Sequence, residues 1–290
     1  MDFSNSLLSW YLQNKRELPW RNTVNPYPIW LSEIMLQQTR VAQGLPYYMA
    51  FMESFPTVFD LANAEEEQVL KLWQGLGYYS RARNLHATAK HIATNLNGNF
   101  PSNYKELLQL KGIGEYTAAA IASFAYNEPV AVVDGNVFRV LSRYFNLDND
   151  ISDGKTKKEF QILAQELLPK NNAALFNQAI MEFGALQCVP KNPNCENCIF
   201  SSSCAALQHK KVNTLPVKSK KTKVTNKYFN YLILKDVQGN FVVQKREGKG
   251  IWENLYEFPL IETDELISEI DFMIELKSTK FYDQLLKEII

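Results

Sequence analysis

Long apolar runs are missing from this chain. No stretch approaches the roughly 18 residues needed to cross a membrane, and Met1 to Trp20 lacks the charged-then-apolar layout of a signal peptide. A soluble protein of the cytoplasm, with no membrane partner, is therefore expected. Surplus charge is missing as well: 31 Lys and Arg balance 31 Asp and Glu, which argues weakly against a partner gripped through massed phosphate contacts. Cysteine is scarce and confined to Cys188, Cys195, Cys198 and Cys204. In a reducing compartment four thiols this close favour one metal site over disulfides. The spacing C-x6-C-x2-C-x5-C leaves the metal open between zinc on four thiolates and an iron–sulfur cluster.

The length of 290 residues and the 46% hydrophobic content supply two cores. The neutral total also hides a gradient, because residues 205–227 carry seven Lys and no acid while residues 1–204 carry 17 basic against 19 acidic residues. That lysine-rich segment, with Pro216 and no periodicity, reads as a linker. Three units follow: a helical domain over 1–204, a linker over 205–227 and a second domain over 228–290. In the last, Tyr228–Leu234 and Phe241–Lys245 flank a turn at Asp236–Asn240 and predict a β-hairpin.

In the helical domain, apolar spacing predicts helices over Phe3–Asn14, Pro28–Val41 and Ala173–Gln187. Leu107, Leu108 and Leu110 close a further helix, Gly112 and Gly114 supply a turn needing positive φ, and Thr117–Tyr126 is a second, alanine-packed helix. This helix-hairpin-helix aims unpaired backbone N–H groups outward, where a nucleic-acid phosphate can bind without any side chain. The apolar run Val130–Val133 then stops at Asp134, where the chain enters the next helix. Taken alone, Gly-x-Gly is an ordinary turn and Asp134 an N-cap worth about 1 kcal/mol. Glu33 lies beside the apolar face of its helix, three residues from Trp30, so its carboxyl is partly desolvated and its pKa raised. Trp73–Leu85 interleaves two tyrosines and two arginines at a glycine turn, a composition suited to intercalation and phosphate contact.

In this order the signals over residues 1–204 resemble the helix-hairpin-helix DNA glycosylases, the group of endonuclease III and the MutY-type adenine glycosylases. The resemblance implies a mainly α glycosylase fold with a cluster loop, and a partial Nudix-like α+β domain after it, the latter from Gly250–Pro259. It implies base-excision repair of double-stranded DNA in which adenine opposite 8-oxoguanine or guanine is flipped out and hydrolysed by a monomeric, nucleoid-associated enzyme. By the same resemblance Glu33 is the general acid on adenine N7, Asp134 stabilises the sugar cation, and Tyr116 and Asn136 orient them. Arg21 and Gln178 contact the base, Gln38, Thr39 and Tyr78 enter the opened duplex, and Gly112 and Gly114 form the phosphate-binding hairpin. The four cysteines hold a 4Fe–4S cluster, with zinc as the alternative, and Lys191 in their loop approaches phosphate. Tyr116 stands where bifunctional relatives carry a Schiff-base lysine, so strand cleavage is not expected. The acidic Nudix hydrolase motif is missing, and no counterpart of the family's 8-oxoguanine loop is found before Ile290. A bifunctional glycosylase/lyase and a non-catalytic DNA-binding module are the competing readings.

Overall fold

The computed structural model describes residues 2–219, 224–247 and 250–278. The lysines at 220, 221 and 223 and the residues beyond 278 lie outside the described residues. Two compact units divide the chain, residues 1–220 and 221–290.

The first unit is helical. Helices α1 (Phe3–Asn14), α2 (Pro26–Met35), α3 (Val41–Ser54), α4 (Val58–Asn63), α5 (Glu66–Leu72) and α6 (Ser80–Asn95) are followed by the short α7 (Tyr104–Leu107). Then come α8 (Glu115–Tyr126), α9 (Gly135–Tyr144), α10 (Gly154–Leu167), α11 (Ala173–Leu186) and the single turn α12 (Ala205–Gln208). Caps fix several starts: Asn25 accepts from Tyr27 N at α2, Thr57 and Asp60 form a capping box at α4, and Asp153 accepts from Lys155 N and Thr156 N at α10.

Two hydrophobic cores result. One gathers Trp30, Met35, Phe51, Leu61, Trp73, Leu85 and Ile121 from α2 to α8. The other gathers Leu7, Tyr11, Val137, Leu141, Phe160, Phe176 and Phe183 from α1 and α9 to α11. Helix α8 joins them, since it packs on both α2 and α11, and its buried Ala118, Ala119, Ala120 and Ala122 let those neighbours approach.

Three expectations change. The helix expected over 28–41 ends at Met35 and a new one begins at Val41, which puts Gln38 and Thr39 on a loop. The cause is Arg81, whose guanidinium takes the carbonyls of Ile34, Met35 and Gln37. At the hairpin only Gly112 is left-handed, at φ +76°, whereas Gly114 is extended at φ −91° and caps α8. Finally, the chain to Val217 belongs to the helical unit: Ala206 and Leu215 are buried, Arg143 Nε donates to Leu215 O and Ile151 N to Val217 O.

In the second unit β1 (Tyr228–Tyr231) pairs antiparallel with β4 (Leu260–Thr263), and β2 (Gln244–Lys245) with β3 (Tyr256–Glu257); α13 (Glu269–Lys277) follows. The turn at Asp236–Asn240 forms as expected, with Asp236 N donating to Asn240 O. Its two flanks meet only at a Lys235–Phe241 bridge, because β1 takes β4 as its partner. Among the described residues no helix is long and apolar enough to cross a membrane.

Candidate active site and metal centre

A cleft of about 420 Å³ opens between the two cores of the helical unit. One wall is Leu18, Trp20, Ile29, Ser32 and Glu33; the other is Asp134, Asn136, Arg139, Gln178 and Glu182. The volume suits one flat heterocycle and part of a sugar.

Glu33 stands two residues before the end of α2, 7% exposed. Its Oε2 accepts a 2.8 Å hydrogen bond from the Tyr116 hydroxyl. Burial pushes its pKa up to about 7 and the Asp134 charge adds to the rise, while the Tyr116 bond and Arg21 oppose it. The same burial, with the charges of Glu33 and Asp134, holds the Tyr116 phenol well above its ordinary value, so it remains a donor.

Asp134 caps α9. Its Oδ1 accepts from Asn136 N at 2.9 Å and Val137 N at 2.8 Å, and its Oδ2 from Asn136 Nδ2 at 2.7 Å. Burial raises its pKa, and the three donors and Arg139 act against the rise. All three bonds need lone pairs on the carboxylate, so the ionised form is the one this cradle solvates. Two acids in one cleft are thus set apart, Glu33 by a greasy wall and Asp134 by a cage of N–H groups.

Several partners of these groups carry no sequence signal. Arg139 is 9% exposed on the buried side of α9, which also carries Ser142 and Arg143; it donates to Asn136 Oδ1 at 2.7 Å, Gly184 O at 2.6 Å and Cys188 O at 2.7 Å. It fixes which way the Asn136 amide points and ties it to the cysteine loop. Gly184 lets α11 pass this close, since a Cβ there would lie 2.6 Å from Asn136 Cβ. Glu182 is 1% exposed and accepts from Arg16 N, Nε and Nη2 and from both Nη groups of Arg21. Burial would raise its pKa, but the two arginines bring it down to about 2.

Of the residues singled out in the sequence, Glu33, Tyr116, Asp134, Asn136, Arg21, Thr39 and Gln178 all line this cleft. Arg21 does so with both Nη groups committed to Glu182. Gln178 accepts from the Tyr11 hydroxyl at 2.8 Å. Gln38, Tyr78, Gly112 and Gly114 are not part of the lining. Gln38 and Tyr78 occupy separate turns in left-handed backbone, φ +55° and +51°, and Tyr78 is 63% exposed. Gly112 cannot carry a side chain, which would meet Asn84 Cβ at 2.7 Å, whereas a Cβ on Gly114 would meet open space. Neither φ nor packing asks for glycine at 114, so the surface above that peptide is free for close approach by a ligand.

The four cysteines line one apolar cavity with Val140, Tyr144, Phe183, Phe200 and Leu207. Arg143 Nη1 lies 3.4 Å from Cys188 Sγ, and Phe200 N donates to Cys198 Sγ at 3.4 Å. Burial and the neighbouring sulfurs raise Cys195, Cys198 and Cys204, with Cys198 pushed up to about 11. Among the described residues no three His, Cys, Asp or Glu groups converge tightly enough for one metal ion. Four thiols round an apolar cavity, with N–H donors directed at sulfur, are a donor set able to hold an iron–sulfur cluster.

Residues 31–169 match the HhH-GPD superfamily of base excision DNA repair proteins. The adenine DNA glycosylase of Buchnera aphidicola subsp. Schizaphis graminum is 37% identical over 262 residues, 90% of this chain and 75% of that protein. The adenine DNA glycosylase of Homo sapiens is 45% identical over 215 residues, 71% of this chain and 39% of that protein. Among solved structures, a thermostable thymine-DNA glycosylase superposes with a TM-score of 0.66 at 30% identity, covering 71% of this chain and 95% of that one.

Proposed function

The chain belongs to the adenine DNA glycosylases of the HhH-GPD superfamily, and from that premise we propose that it removes adenine mispaired with 8-oxoguanine or guanine in double-stranded DNA. The observation that carries the chemistry is Glu33: a buried carboxyl, protonated up to about pH 7, in the same cleft as an amide-caged Asp134. Adenine is a poor leaving group as an anion. Glu33 delivers its proton to N7 of the extruded base, and the C1′–N9 bond breaks with its electron pair passing to the now neutral purine. Asp134, ionised in its cage, stabilises the positive charge that develops on the sugar. Water adds to C1′ and loses its proton, leaving an abasic site and free adenine. Arg21 and Gln178 face the base, and Asn136 orients Asp134.

Tyr116 has no amine with which to form a Schiff base, and its hydroxyl is engaged by Glu33, so the reaction stops at base release. The cysteine cavity supports a 4Fe–4S cluster held by Cys188, Cys195, Cys198 and Cys204, which would brace the loop carrying the exposed Lys191 against DNA. Purified protein should then absorb in the visible range, where a zinc form is colourless.

The test is single-turnover base release from duplexes with one A:G or A:8-oxoguanine pair, read as alkali-labile strand scission. Glu33→Gln should still bind the duplex but release adenine about 10²- to 10⁴-fold more slowly, the usual contribution of a general acid. Binding without release by the unaltered protein would reduce it to a DNA-binding module. Abundant borohydride-trapped adduct would make it a lyase.

A further inference from the structure

Arg81 opens α6 in a segment whose composition suggests phosphate contact, yet its guanidinium is spent inside the protein. Nη1 donates to Ile34 O at 3.0 Å, Met35 O at 2.9 Å and Gln37 O at 2.7 Å; Nη2 donates to Leu76 O at 3.3 Å and Gly77 O at 3.1 Å. Its Cζ lies over two rings, 5.2 Å from the Trp73 centroid and 5.6 Å from that of Tyr78. One cation therefore closes the C-terminal end of α2, the helix that carries Glu33, and simultaneously holds the turn before α6.

Two of those acceptors have a particular place. The Gln37 carbonyl belongs to the peptide that enters Gln38, and the Gly77 carbonyl to the peptide that enters Tyr78. Gln38 and Tyr78 are the two non-glycine residues in left-handed backbone on these turns, a conformation that such residues hold only where the surroundings over-determine it. Each φ is measured against a peptide plane whose oxygen Arg81 fixes. We propose that Arg81 is a positioning residue for base extrusion: it locks the 36–39 loop and the 74–79 turn into one rigid wedge, so that Gln38 and Tyr78 enter the duplex together. The proposal rests on the reading of this face as the DNA-binding side of the glycosylase.

The test uses the full chain and a duplex carrying 2-aminopurine opposite guanine, whose fluorescence rises when the base leaves the stack. Arg81→Gln and Arg81→Lys are compared with the unaltered protein, with folding checked by thermal melting. A lysine has one ammonium and cannot span both turns, so neither variant is expected to restore the wedge. Both should lose at least tenfold of the fluorescence gain at saturating protein and release adenine at least tenfold more slowly at saturation. The alkaline limb near pH 7 should stay in place, because Glu33 is untouched. The slope of log affinity against log salt should also stay unchanged, since no phosphate contact is removed. A fluorescence gain equal to the unaltered protein's in either folded variant overturns the proposal. A salt slope lower by about one also overturns it, because Arg81 would then be a phosphate ligand. Should Arg81→Gln fail to fold, the Arg81→Lys protein decides by the same readings. If the unaltered protein extrudes 2-aminopurine but never releases adenine, the glycosylase reading falls while the wedge is still tested.

Discussion

In the proposed reaction Glu33 is a carboxyl that serves catalysis at the expense of stability. The Tyr116 bond stabilises its anion, so Tyr116→Phe removes an opposing influence and the Glu33 pKa should climb further. Base release by the unaltered protein should fall at low pH as Asp134, whose pKa burial raises, takes up a proton, and should fall tenfold per pH unit above about pH 7 as Glu33 loses its own. In Tyr116→Phe that limb should move up by about one unit, the worth of a hydrogen bond to a charged group. A limb that stays put would separate Tyr116 from the acid. Folding is linked to the same proton. Between the ordinary value of 4.5 and about 7 the native state holds a proton the unfolded chain has released, so stability is full below pH 4.5 and lost as pH rises through 7. Glutamine has no such proton. Glu33→Gln should match the parent near pH 4.5 in urea unfolding and exceed it at pH 8 by at most about 3 kcal/mol.

The element that carries the other half of the proposed chemistry is the start of α9. Asp134 is an ordinary N-cap by its backbone bonds, which is the bland reading its sequence position allows, and it is also a wall of the cleft. Asp134→Asn keeps an oxygen for Asn136 N and Val137 N and loses only the acceptor of Asn136 Nδ2, so the helix cap survives while base release falls by roughly 10²-fold or more, the scale of a lost electrostatic stabiliser. Asp134→Ala should lose the same activity and in addition about 1 kcal/mol of stability. Equal melting losses for both would mean the carboxylate acts only as a cap. Local signals disclosed this element: an apolar run, an Asp, then helical spacing. They failed at the end of α2, where helical periodicity continues to Val41 but the helix stops at Met35. What ends it there is a guanidinium arriving from residue 81, and no window around residue 36 contains that information. Gly184, Arg139 and Glu182 were silent for the same reason, since each is defined by a neighbour at least 45 positions away.

At the scale of the molecule, composition and packing place the domain boundary differently. Lysine density draws it just after Cys204, whereas the chain stays with the helical unit to residue 220. Lys210 and Lys218 are exposed, and apolar residues of the same segment do the packing: Ala206 is fully buried and Leu215 is 3% exposed. Arg143 reads that segment from beneath, donating to Leu215 O at 3.1 Å and to Val189 O and Pro190 O at 2.8 and 3.0 Å. One buried arginine thereby fastens α9, the cysteine loop and the segment beyond it. Two truncations separate the boundaries. A chain ending at residue 220 retains every residue that lines the cleft, and should release adenine from A:G duplexes with the same alkaline limb near pH 7 as the full chain. A chain ending at residue 204 exposes the cavity wall at Leu207, strips Leu215 from its site and leaves the Arg143 Nε–H without its acceptor. Loss of one such leucine contact costs about 2–5 kcal/mol, so the shorter chain should melt well below the longer one and lose visible absorption with it. Equal melting temperatures would return the boundary to the position that composition assigns.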